Sequence, residues 1–352
     1  MNFSEIGKRI EEYTEKEGTL FANALCAPLR VHGLWYSDED GTFRRVTKEA
    51  AEATSEAVKG YSKQCTGGRV RFRTDSPYVA VRMKNERFWP DFHITLTGIA
   101  GVDVYDGNEF RGVLAHDLEA DKFLLSGTVE LGAGWHDVTV NLPPFCRATE
   151  VMIGLDQGAE VEEAVPYKYQ NPVVFYGSSI THGACSSRPG LNYENQLTRM
   201  LDFDYVNLGF SGSAKAEPAI AEYIAGLKMG VFVYDYEHNT PSIEHLRESH
   251  ERMFLTIREK HPNIPVIIIS APRRPMLDSS ELERREILRA TYENARARGD
   301  ENVYFIAGNE FFEGNLGVDF SIDSCHPTDA GFYFMAKKIA PVLKKCLEDS
   351  VQ

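Results

Sequence analysis

The chain has 352 residues, 43% of them apolar, and a formal net charge of −14 at pH 7. That length exceeds one ordinary core at roughly 100–200 residues per domain, and the apolar share suits packed cores and argues against disorder. The negative field repels phosphate backbones, and no basic run or basic–aromatic stripe offsets it, so nucleic acid is excluded as a partner and a neutral substrate fits better than a polyanion.

The six cysteines, Cys26, Cys65, Cys146, Cys185, Cys325 and Cys346, stand far apart. They form neither a CxxC pair nor a cysteine–histidine ligand spacing, so free thiols and no metal site are expected. The segment Met1–Gly18 has no apolar h-region, and no stretch reaches the ~18 apolar residues of a membrane span. A cytoplasmic protein without membrane contact is therefore expected. Residues 1–30 open with a predicted short amphipathic helix, capped by Ser4 with Ile6 and Ile10 on one face, and turn irregular through Pro28.

Over residues 31–158 the pattern changes to short alternating runs broken by Gly, Asp and Asn. Val70–Thr74, Val79–Met83, Phe92–Thr97, Gly101–Tyr105, Gly127–Leu131 and Trp135–Leu142 alternate with the period of a strand that buries one face. Asp106-Gly107-Asn108 is a hairpin turn signal. Roughly eight such strands at short spacing predict an all-β sandwich or jelly roll. Lys48–Lys59, rich in Ala and Glu, interrupts the strands as a small helix or insertion. Residues 159–171 are acidic and punctuated by proline, the composition of a linker.

From residue 172 to 352 apolar runs alternate with helical patterns. Val173–Tyr176, Tyr205–Leu208, Val231–Tyr236, Pro265–Ala271 and Val303–Ala307 read as five strands. Ser242 caps a helix carrying Ile243, Leu246, His250, Met253, Phe254 and Ile257 at helical spacing. Thr328 caps the last helix, with Phe332, Met335, Ile339, Val342 and Leu343 as its apolar face. Continuous apolar strands alternating with helices predict a parallel sheet covered on both sides, a three-layer α/β domain.

Four blocks in this half carry polar residues at or beyond strand ends. They are Gly177-Ser-Ser-Ile-Thr181, Asn207-Leu-Gly-Phe-Ser-Gly212, Asp235-Tyr-Glu-His-Asn239 and Asp323-Ser-Cys-His326. In a parallel sheet the carboxyl ends of the strands share one edge, where open α/β folds hold their sites. The first three blocks converge there, and the fourth joins them if the final connection returns to that edge. The first turn offers two hydroxyls, Ser178 and Ser179, and nothing local chooses between them.

Together these blocks, in this order and spacing, resemble the SGNH (GDSL-type) hydrolase superfamily over about half of the chain, from Pro172 to Leu347. The resemblance implies a flavodoxin-like five-stranded domain. It implies Ser179 as nucleophile, His326 as general base oriented by Asp323, and an oxyanion hole from the N–H groups of Ser179 and Gly212 and the amide of Asn239. Such a hydroxyl needs a base to take its proton and a carboxylate to fix the base's tautomer. No metal or organic cofactor is implied. Two positions depart from the common pattern: Ser178 replaces the usual acid before the nucleophile, and Thr240 replaces the usual Asp after the third-block Asn. Phe175–Gly190, with Val31–Tyr36 and Phe43-Arg-Arg45, is similar to a two-domain subgroup with an N-terminal β-sandwich. That subgroup includes carbohydrate O-acetylesterases and a related acyltransferase.

The expected function is a serine esterase removing small acyl groups, acetyl foremost, from a small-molecule or oligosaccharide ester. Acyl transfer to another acceptor is the alternative, and a homo-oligomer is left open. A non-catalytic carbohydrate-binding protein is a third reading, which the four intact blocks oppose. Trp89, His182, Arg188 and Glu237 are candidates for substrate contact. Trp89 is weighed against a core role, Arg188 against a salt bridge and His182 against a satisfied wall position. Asp319 is an alternative orienter to Asp323.

Overall fold

Two kinds of sheet underlie the change of pattern near Pro172. The structure, a computed structural model, describes residues 1–86, 88, 91–116, 123–272, 279–312 and 319–350. It divides into two compact units. One comprises Met1–Arg45, Lys63–Pro166 and Ser187–Gly190, the other Val46–Ser62, Tyr167–Ser186 and Leu191–Gln352. All six cysteines are free thiols, and among the described residues no helix is long and apolar enough to cross a membrane.

The chain begins with β1 (Thr19–Asn23), β2 (Arg30–His32), β3 (Trp35–Ser37) and β4 (Thr42–Arg44). Helices α1 (Lys48–Thr54) and α2 (Glu56–Tyr61) follow and belong to the second unit. The first unit resumes with β5 (Arg69–Thr74), β6 (Tyr78–Asn85), α3 (Leu96–Ala100), β7 (Val102–Asp106), β8 (Glu109–Leu114) and β9 (Leu124–Glu130). It ends with β10 (His136–Asn141), β11 (Ala148–Asp156) and β12 (Val161–Glu162). Strands β1-β11-β6-β9 form one antiparallel sheet; β12-β5-β10-β7-β8, with β2 beside β5, form another. The alternation seen in sequence puts Val70, Phe72, Val138 and Val140 of one sheet into a single apolar cluster with Val79, Val81, Val151 and Ile153 of the other. That shared cluster is the core of a sandwich.

Three expectations in this region are corrected. Residues 1–30 do not begin with an amphipathic helix. A single 3₁₀ turn, Phe3–Glu5, is capped by Asn2, not Ser4, and the Phe3 N–H is drawn away to the Ala159 carbonyl. Phe92–Thr97 is not a strand, because the Thr95 hydroxyl accepts the Gly98 N–H and starts α3. Short Thr side chains compete for backbone groups in this way and nucleate helix ends. The stretch 159–171 is not only linker, since β12 pairs with β5 and β13 starts at Tyr169.

The second unit continues with β13 (Tyr169–Gly177), α4 (Ser179–His182), α5 (Tyr193–Leu201), β14 (Phe203–Gly209), α6 (Pro218–Ala225) and β15 (Val231–Asp235). After these come α7 (Ile243–Lys260), β16 (Val266–Ile269), α8 (Ser279–Ala297), β17 (Val303–Ile306) and α9 (Asp329–Asp349). The sheet is parallel in the order β14-β13-β15-β16-β17. Its strands are apolar on both faces because both are covered. Val174, Tyr176, Phe232 and Tyr234 enter one cluster, while Val173, Phe175, Val231 and Val233 enter another. Ser242 and Thr328 cap α7 and α9 as expected.

Candidate active site

The site is built on the carboxyl ends of three adjacent strands. β13 lies between β14 and β15, so the turns after Gly177, Gly209 and Asp235 leave the same edge of the sheet. After β13 the Ser178 hydroxyl oxygen accepts the Ile180 N–H at 3.2 Å and caps α4. Ser178, one of the two departures in sequence, thus does the work of a helix cap and is fully buried. Ser179 is the first residue of α4 and is partly exposed. Its N–H is one of those an α-helix leaves without an internal partner.

The Ser179 Oγ lies 2.7 Å from His326 Nε2, and His326 Nδ1 lies 2.7 Å from Asp323 Oδ2. Hydroxyl, imidazole and carboxylate are therefore in line. Asp323 and His326 reach Ser179 on a short loop closed by a bridge between Ser321 and Pro327 and by the Ile322 N–H on the His326 carbonyl. Ser324 takes φ +69°, the left-handed turn the loop needs. Burial pushes the Asp323 carboxyl upward. Hydrogen bonds from the backbone and ring of His326 and from the Cys325 N–H outweigh it and hold the group at about 2. Asp323 is thus ionised wherever the ring is to be oriented, and it, not Asp319, contacts the ring.

After β14, Gly212 takes φ +67° with open space where a Cβ would be, so conformation and not crowding calls for glycine. After β15 the Asn239 Oδ1 accepts the Ala214 N–H at 3.2 Å, joining the third block to the turn just beyond the second. This bond commits the amide oxygen and leaves the amide N–H groups to donate. An arrangement of this kind can activate a hydroxyl and stabilise charge that develops on an acyl oxygen.

The proposed substrate contacts fare differently. His182 is fully buried, and its Nδ1 accepts the Ser211 N–H at 3.4 Å, next to the Gly212 turn. Glu237 is buried, and its Oε2 accepts the Ala271 N–H at 2.9 Å, tying the third block to the end of β16. Arg188 belongs to the first unit, where its Nη1 donates to Asp103 at 2.6 Å and to Tyr105 at 2.7 Å and its guanidinium covers Phe110. These contacts of all three are with the protein itself, the salt-bridge alternative for Arg188 and the satisfied wall position for His182 included. Trp89 lies outside the described residues.

Beneath the turn lies a polar layer that is not among the expectations drawn from sequence. Asp235 Oδ1 accepts the Thr181 hydroxyl and the Ser178 N–H, and Asn207 Nδ2 donates to the Thr181 carbonyl at 2.6 Å. Burial pushes the Asp235 carboxyl up to about 7. An acid ending an otherwise apolar strand was the available signal.

Comparison with known proteins bears on the family and the fold. The GDSL-like lipase/acylhydrolase family matches residues 170–344, and the N-terminal domain of SGNH-hydrolase-type esterases matches residues 19–161. None of the curated protein sequences matches the chain. Among solved structures, a GDSL-like protein from Bacteroides ovatus is 25% identical with a TM-score of 0.82, covering 94% of this chain and 98% of its own. The salicylyl-acyltransferase SsfX3 of a tetracycline biosynthetic pathway is 23% identical with a TM-score of 0.77, covering 93% and 98%. A family two carbohydrate esterase from Clostridium thermocellum is 14% identical with a TM-score of 0.62, covering 91% and 99%. The last two likenesses speak to the fold. The chain belongs to the SGNH (GDSL-type) hydrolases, with a GDSL-like lipase/acylhydrolase domain preceded by the N-terminal domain of SGNH-type esterases.

Proposed function

We propose that the protein is a serine esterase that removes small acyl groups, acetyl foremost, from carbohydrate. The observation that carries this reading is the line of contacts at 2.7 Å from Ser179 to His326 and at 2.7 Å from His326 to Asp323. His326 takes the Ser179 proton as Oγ bonds the acyl carbon. The N–H groups of Ser179 and Gly212 and the Asn239 amide hold the resulting oxyanion. His326 then protonates the departing sugar oxygen, and water, activated by the same ring, releases the acid. The carbohydrate assignment draws on the carbohydrate esterases among the structural neighbours and on the net charge of −14. Acetate release from a panel of acetylated oligosaccharides, read by mass and NMR, tests it. Ser179→Ala is expected to lose on the order of 10³-fold or more in turnover. Full p-nitrophenyl acetate turnover by that variant would overturn the mechanism.

Transfer of the acyl group to an alcohol other than water uses the same acyl-enzyme, and one structural neighbour is an acyltransferase. Hydrolase and transferase differ in acceptor access and water exclusion. Product analysis with a candidate alcohol present separates them.

A further inference from the structure

We propose that Asp235 is a positioning residue for the nucleophile, clamping the turn that carries Ser179 from both sides through the Ser178 N–H and the Thr181 hydroxyl. The inference rests on Ser179 being the nucleophile. Asp235 ends β15 and pairs in register with Gly177 of β13. Its Oδ1 takes one hydrogen bond from the residue before Ser179 and one from the residue two after it. Gly177 makes room for this, since a Cβ there would fall 1.9 Å from Asp235 Oδ1 and 2.2 Å from Thr181 Oγ1. From the other side, Asn207 of β14 donates to the Thr181 carbonyl, and Tyr193 OH lies 3.2 Å from the Thr181 hydroxyl. The first turn of α4 is thereby tied to both neighbouring strands.

The cost of this arrangement argues for a role. Asp235 is 4% exposed, and its Oδ2 has no hydrogen-bond partner among the described residues. A buried carboxyl with one idle oxygen lowers stability, and an apolar side chain would commonly serve the fold as well. What an apolar side chain cannot supply is the acceptor that fixes the turn. The clamp needs that acceptor and not the charge, so a carboxamide replaces it.

The test compares Asp235→Asn, Asp235→Ala and Thr181→Val. Each is measured for kcat and KM on p-nitrophenyl acetate and for the rate at which a fluorophosphonate labels Ser179, with circular dichroism and thermal midpoint as folding controls. Displacing a reacting group by about 1 Å can cost on the order of 10²-fold. Asp235→Ala is therefore expected to lose about 10- to 100-fold in kcat and in labelling rate, with KM nearly unchanged. Thr181→Val falls in the same direction, and Asp235→Asn stays within a few-fold of wild type. Wild-type kcat in Asp235→Ala, or equal loss in Asp235→Asn and Asp235→Ala, overturns the clamp. If Asp235→Ala does not fold, Thr181→Val decides: unchanged kcat and labelling rate overturn the clamp. Ser179→Ala is run beside them. Its retaining turnover removes the functional reading itself, whereas an inactive Ser179→Ala beside a fully active Asp235→Ala removes only the clamp.

Discussion

At the scale of single residues, Asn239 separates two tasks on one side chain. Its oxygen holds the Ala214 N–H at 3.2 Å, and in the proposed mechanism its nitrogen donates to the oxyanion. Aspartate at this position keeps an acceptor for Ala214 but loses the donor and adds negative charge where negative charge develops. Losing one such donor typically costs about 2.7–4 kcal/mol of transition-state stabilisation. Asn239→Asp is therefore expected to lose about 10²–10³-fold in kcat, with its thermal midpoint close to wild type and KM little changed. Steady-state kinetics beside a thermal melt checks this, and a variant with undiminished kcat would remove Asn239 from the oxyanion hole. The donor role is what the resemblance of the four blocks to the SGNH hydrolases implies for Asn239. Its bond to Ala214 is not legible in the sequence, since that contact joins residues 25 apart on different loops.

At the scale of elements, apolar spacing predicts α7, and His250 falls at one of its apolar positions. The structure explains why a polar ring keeps that rhythm. His250 is buried and stacks on Tyr234 at 4.8 Å and on Tyr236 at 5.7 Å, while its Nδ1 meets the Thr291 hydroxyl at 2.8 Å. Thr291 lies on α8, where only Leu288, Thr291 and Ala295 are buried, a stripe with too few apolar residues to announce a helix in sequence. Burial pulls the imidazole down to about 3. In the unfolded chain the ring takes its proton near pH 6.5. The folded state resists that proton, so stability is complete above about pH 6.5 and declines as pH falls toward 3. One pH unit in this window is worth at most about 1.4 kcal/mol. His250→Phe keeps the stack and removes the proton. Between pH 6.5 and 5 wild type is expected to lose about 1–2 kcal/mol relative to the variant, measured from urea midpoints at each pH. A constant difference across that range would show that the ring is not held neutral.

At the scale of the whole molecule, the change of composition near Pro172 announced two folding units but misplaced part of their content. Alternation and apolar runs report which face of a strand is buried, and not which body buries it. The Ala- and Glu-rich stretch at Lys48–Lys59 lies in sequence among the β-strands, yet it belongs to the unit of the parallel sheet. Val46, Ala51 and Val58 are fully buried there, in one cluster with Ile220, Ala221 and Ile224 of α6. Burying an aliphatic side chain of this kind is worth roughly 1.5–3 kcal/mol for Val and less for Ala. The stretch thus contributes several kcal/mol, against a typical net stability of about 5–15 kcal/mol for a domain. A fragment beginning at Tyr167 contains the whole sheet and all four sequence blocks but lacks this stretch, and would expose the face of α6 that it covers. That fragment is expected to bind a hydrophobic dye, melt well below the full chain and regain a sharper transition when residues 46–62 are fused to it through a flexible linker. Dye binding and calorimetry read the difference. Cooperative melting of the bare fragment at the midpoint of the full chain would mean that Val46, Ala51 and Val58 only decorate the hydrolase core and do not complete it.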